Sequence, residues 1–107
     1  MSAVVVVAVF TPLDGRTGDL RDALRAGIEA THAEPGCLLY AIHDADDGTI
    51  TMIEKWESRA ALDAHATGEA IARLQADTAA LLAKPVVVTT MTPLPEGTTA
   101  QGVLHHA

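Results

Sequence analysis

The sequence predicts an α+β fold in which a four-stranded, mainly antiparallel sheet carries its helices on one face. Three observations lead there. Apolar, β-branched runs lie near both ends of the chain, at residues 4–11 and 85–91. Two further strand-like segments, residues 37–43 and 49–56, bracket a short acidic turn. Between the strands, apolar residues recur at helical spacing. The resulting order, βαββαβ, belongs to a small α+β domain. The chain of 107 residues has room for one such domain. It is read as a domain over residues 1–92 followed by a tail over 93–107 that is rich in Pro, Gly and Thr.

Residues 4–11, Val-Val-Val-Val-Ala-Val-Phe-Thr, end at Pro12 and predict a strand buried on both faces. No basic residue precedes this run, so it reads as a strand rather than as the apolar part of a signal peptide. After the turn at residues 13–16, Thr17 opens a helix whose first turn carries Asp19. Leu20, Leu24, Ile28 and Thr31 form its inward stripe, and Pro35-Gly36 ends it. Residues 37–43 and 49–56 pair as a hairpin across Asp44-Ala-Asp-Asp-Gly48. In its second arm Ile50, Met52, Glu54 and Trp56 share one face, and Thr51, Ile53 and Lys55 share the other. Ser58 caps a short helix through His65, and Thr67-Gly68 breaks it. A further helix follows from Glu69, with Ile71, Leu74, Thr78 and Leu81 inward.

Fourteen acidic residues against seven basic give a net charge of −7. A surface of that sign repels phosphate backbones and anionic membranes, so neither nucleic acid nor membrane is an expected partner. The single cysteine, Cys37, offers no intrachain disulfide and no metal cluster, and the expected compartment is cytoplasmic. The strand patterns imply a homodimer. With the helices on one face, the other should alternate with polar residues, yet residues 4–9, 38–42 and 85–88 are apolar throughout. An apolar sheet face of that extent marks an interaction surface, and a second copy packed sheet to sheet is its simplest occupant. The alternative occupant is the chain's own C-terminal tail.

Several segments in this order resemble the antibiotic biosynthesis monooxygenase domains: Val9-Phe10-Thr11-Pro12, Pro35-Gly36-Cys37-Leu38-Leu39-Tyr40, Glu54-Lys55-Trp56-Glu57-Ser58 and Ala61-Leu62-Asp63-Ala64-His65. The resemblance covers roughly residues 3–92. It implies a ferredoxin-like subunit, pairing of two copies into a dimeric α/β barrel, and a pocket between sheet and helices. It also implies cofactor-independent oxygenation, without metal or flavin, of a quinol or polycyclic aromatic small molecule. Two other readings stay open, a proton-transfer isomerase and a non-catalytic dimer that binds a small apolar ligand. Haem-degrading relatives need an axial histidine on the long second helix and typically a pocket asparagine, and this sequence contains no asparagine.

Oxygenation without a cofactor needs a general base, donors for the resulting anion and a dry pocket. Glu54, on an apolar strand face, and His65, at a helix end, are the candidate catalytic residues. The bland alternatives are a structural ion pair for Glu54 and a dipole-favoured helix end for His65. Trp56, Met52 and Ile50 are the expected substrate-binding residues, with Trp56 as a flat wall for an aromatic ring. Tyr40 reads as an interface residue and Cys37 as a small core residue. His32 and His43 read as helix-end and strand-end residues, and His105 and His106 as incidental.

Overall fold

The computed structural model describes residues 2–105, which leaves His106 outside. Strands β1 (Val4–Phe10), β2 (Cys37–Asp44), β3 (Ile50–Trp56) and β4 (Val87–Met91) form one sheet. Their order is β2-β3-β1-β4, and every neighbouring pair is antiparallel. Helices α1 (Thr17–His32), α2 (Arg59–Ala66) and α3 (Glu69–Thr78) follow the expected order, and a single 3-10 turn, Ala79–Leu81, extends α3. The fold is the ferredoxin-like α+β arrangement. Among the described residues, no helix is long and apolar enough to cross a membrane.

Pairing register decides which side chains meet. Glu54 lies between Tyr40 on β2 and Val6 on β1, and Met52 lies between Ile42 and Ala8. This is the helix-facing side, where Val4, Val6, Ala8, Phe10, Tyr40, Ile50, Met52 and Trp56 are all buried. Leu20 and Leu24 of α1 and Leu74 of α3 close the core from above. Gly27 lets the two helices approach, since a Cβ there would lie 3.3 Å from Leu74 Cδ1. Thr31 and Thr78 can be buried because each hydroxyl donates to a carbonyl one turn back, Gly27 O at 3.2 Å and Leu74 O at 2.8 Å.

Three expectations are corrected. β1 is buried on its helix side only, for Val5, Val7 and Val9 on the outer side are half-buried in the single chain. β4 begins at Val87 instead of residue 85, and as an edge strand it is exposed along its whole length, with Val87 and Val88 more than half exposed. Tyr40 faces the helices rather than the outer surface. The hairpin turn closes between Asp44 and Ile50, which puts Tyr40 opposite Glu54, and a bulge after Cys37 shifts the phase at the strand's start. The tail meets the outer face where the Lys55 ammonium donates to the Leu104 carbonyl at 2.7 Å.

Candidate active site

β1 and β4 supply one wall of a cavity of about 340 Å³, and α2, α3 and the 3-10 turn supply the other. Most of the lining is apolar: Val6, Ala8, Phe10, Leu62, Ile71, Leu74, Leu82, Val86 and Val88. The polar lining comes from Glu54, His65, Tyr40, Gln75 and Thr78. Glu54, His65 and Tyr40 are buried, whereas Gln75, Ala79 and Val88 are exposed. The three buried groups therefore mark the closed end, and the mouth opens beside α3 and β4. A cavity of about 150 Å³ takes one benzene, so this one has room for roughly two or three fused rings.

Glu54 arrives here because β3 alternates and its even-numbered residues face the helices. Its Oε1 accepts from the Trp56 indole N–H at 3.0 Å. Among the described residues no Lys or Arg forms an ion pair with it, so a tryptophan stands where a basic structural partner was the bland expectation. Burial pushes the Glu54 carboxyl above the usual carboxylate range; the Trp56 hydrogen bond and then the charge of His65 act against that rise.

His65 is carried in by α2. Ser58 caps that helix, its Oγ accepting from Ala61 N at 3.1 Å, and the last turn then points inward. The imidazole is 5% exposed, so it forms part of the closed end rather than swinging at the mouth. It lies on Trp56, ring centroids 4.6 Å apart and tilted by 31°. Tyr40 meets it edge-on at 5.6 Å. Its Nδ1 is 2.6 Å from Glu34 Oε1. Ionised, that carboxylate can only accept, so the proton of this bond sits on Nδ1 and the neutral ring keeps a lone pair on Nε2.

Tyr40 is held in place through its backbone, the carbonyl accepting from His32 Nε2 at 2.9 Å. Burial, followed by the charge of Glu54, raises the phenol well above its ordinary value, so it keeps its proton. Burial, then the charges of Glu34 and Glu54, also raises the Cys37 thiol, which leaves it a poor nucleophile.

The structure thus brings Glu54 and His65 together at one cavity. It does not bring Ile50, Met52 and Trp56 to the cavity wall: at 1%, 0% and 0% exposure they are packed in the core. They share Glu54's strand face as expected, but the open space lies toward β1 and β4. Trp56 touches Glu54 and His65 and does not line the cavity. Sequence reasoning missed Glu34, which meets His65 across 31 positions of sequence. Its nearest signal is its place just before Pro35-Gly36, where the chain turns into β2.

The family "Antibiotic biosynthesis monooxygenase" matches residues 3–77. A Mycobacterium tuberculosis protein named "Putative monooxygenase Rv0793" is 38% identical over 96 residues, covering 89% of this chain and 95% of its own. The solved structure of Rv0793 superposes with a TM-score of 0.83, covering 91% of this chain and 100% of that one at 37% identity. PA3566 from Pseudomonas aeruginosa gives a TM-score of 0.79 at 31% identity, over 88% and 96% of the two chains. Agreement of sequence, fold and length over most of the chain has one conclusion: the protein is a member of the antibiotic biosynthesis monooxygenase family.

Proposed function

We propose that the protein is a cofactor-independent monooxygenase acting on a quinol or polycyclic aromatic small molecule. The observation that carries this reading is the apolar cavity whose closed end holds two proton-transfer groups side by side, Glu54 and His65. His65 Nε2 takes a proton from the bound substrate, leaving an electron-rich anion. Glu54, buried at the same end of the cavity, in its protonated form donates a hydrogen bond to the oxygen where charge collects. The substrate anion reduces dioxygen in one-electron steps, and a carbon–oxygen bond forms. The peroxide anion recovers its proton from His65. Loss of the second C–H proton with cleavage of the O–O bond then yields a carbonyl and water. For an activated methylene the balance is methylene plus dioxygen giving carbonyl plus water, with all four electrons from the substrate carbon.

Oxygen uptake by chelator-treated protein with a panel of quinols and anthrones tests this. Uptake should exceed autoxidation and survive chelation. It should fall on the order of a hundredfold in His65→Ala, the usual share of a general base, and should also fall in Glu54→Gln. Substrate turnover without oxygen uptake would instead indicate a proton-transfer isomerase. Binding without turnover would indicate a ligand-binding protein.

A further inference from the structure

We propose that Glu34 is a positioning residue for His65: it fixes the imidazole in its Nδ1-protonated form, aims Nε2 at the cavity and steadies the ring while it carries the substrate's proton. This rests on the reading of His65 as the proton acceptor.

The geometry has three parts. The first is the bond itself, His65 Nδ1 to Glu34 Oε1 at 2.6 Å, with the imidazole 5% exposed and the carboxylate 21% exposed. A charge-assisted bond this short restricts both rotation and tautomer. The second is the ring's confinement. Trp56 lies against one face and Tyr40 meets the edge, so the imidazole cannot exchange its nitrogens by flipping without disturbing the core. Nδ1 is committed to Glu34, and the ring belongs to the cavity lining, which leaves Nε2 as the nitrogen free to meet a ligand.

The third part is the rigidity of Glu34. Its backbone N–H donates to Thr31 O at 3.0 Å, and its carbonyl accepts from Cys37 N at 3.2 Å. The turn at Pro35-Gly36 then docks on α2. Gly36 has φ +81°, and a Cβ on it would lie 2.6 Å from Ala61 Cβ. Ala61 is one helical turn before His65 on α2. The segment that carries Glu34 is thereby fitted to the helix that carries His65. A carboxylate that orients a base and stabilises its protonated form is a recurring device in proton-transfer sites. This carboxylate also has a solvent edge. Glu34 and His65 line a surface crevice with Glu57 and Ser58.

Two measurements test this together. Nitrogen-15 NMR of the His65 ring, at a pH where it is neutral and without substrate, should show the proton on Nδ1 in the wild type. Glu34→Ala should shift it toward Nε2. With whichever quinol or anthrone supports oxygen uptake, Glu34→Ala should lower kcat about tenfold to a hundredfold with KM within about twofold, the usual range for a residue behind the reacting group. Glu34→Gln, which keeps the shape and an acceptor oxygen but not the charge, should fall between the two and guards against a folding defect. A wild-type proton on Nε2, or a Glu34→Ala protein with unchanged tautomer or kcat, overturns the assignment. If His65→Ala kept full activity, the proton-acceptor reading itself would fall and the assignment with it. An inactive His65→Ala beside a fully active Glu34→Ala would overturn the role of Glu34 alone.

Discussion

Glu54 has a thermodynamic consequence besides its place in the site. It is 6% exposed, and burial raises its carboxyl above the usual range. A carboxyl whose folded value exceeds its unfolded value binds protons better in the native state. Its contribution to stability is fully present below the unfolded value and is lost as pH rises through the folded one. Each unit of upward shift costs about 1.4 kcal/mol once the group is ionised in both states. Glu54→Gln should therefore unfold at an equal or higher urea concentration than the wild type near neutral pH. The difference should shrink to nothing at about pH 4, in the ordinary carboxylate range. A glutamine oxygen can still accept from the Trp56 indole, so the substitution leaves no orphaned donor. A wild type more stable than Glu54→Gln at neutral pH would mean that His65 and Trp56 outweigh desolvation.

At the scale of elements, the join between α1 and β2 governs the site. Gly36 combines a positive φ with a close approach to α2, and any Cβ there must move Ala61, Glu57 or the turn. Gly36→Ala should cost about 1–3 kcal/mol in urea unfolding, from backbone conformation and crowding together. Movement of the turn should lengthen the Glu34–His65 bond and lower activity beyond the stability loss. A neutral Gly36→Ala would show that the turn relaxes freely. This join also marks the boundary of what the sequence makes legible. Periodicity is a local property, so the stripe Leu20, Leu24, Thr31 and the alternation Ile50, Met52, Glu54, Trp56 could be read from neighbouring residues. Glu54 and His65 followed, being polar side chains on an apolar face and at the end of a capped helix. The position of the cavity did not follow. The helix-facing side of β3 is one surface, but the open space lies over β1 and β4, so Ile50, Met52 and Trp56 had the right face and the wrong place on it. Tyr40 needed the hairpin register, countable from the Asp44–Ile50 closure but obscured by the bulge at Cys37. Glu34 needed a loop and a helix brought together by the tertiary fold alone.

For the whole molecule, the outer sheet face is the feature that a single chain leaves unexplained. Val5, Val7 and Val9 of β1, Ile53 of β3, Leu39 and Ala41 of β2, and Val87 and Met91 of β4 share it. All of them are half-buried or exposed in the single chain. The net charge of −7 would normally oppose self-association. Yet the paired positions of this face carry no carboxylate, and its one lysine, Lys55, is occupied by the Leu104 carbonyl. The acidic charge lies elsewhere, so two copies can meet here without setting like charges against each other. Sedimentation equilibrium should give a dimer at micromolar concentration, and Val7→Glu, which places a carboxylate at the centre of the face, should give a monomer with the same far-ultraviolet circular dichroism. A monomeric wild type would leave the C-terminal segment as the cover for this face.

The chain contains a single tryptophan, and its indole donates to Glu54 while its ring lies against His65. Its intrinsic fluorescence is therefore a gauge built into the closed end of the cavity. Excitation at the red edge of the indole band, where the phenol of Tyr40 does not absorb, isolates this signal without a label. Proton movement at the carboxylate, rotation of the imidazole and arrival of an aromatic guest all alter the surroundings of one fluorophore. The state of the pocket can be followed optically in the unmodified protein, independently of turnover.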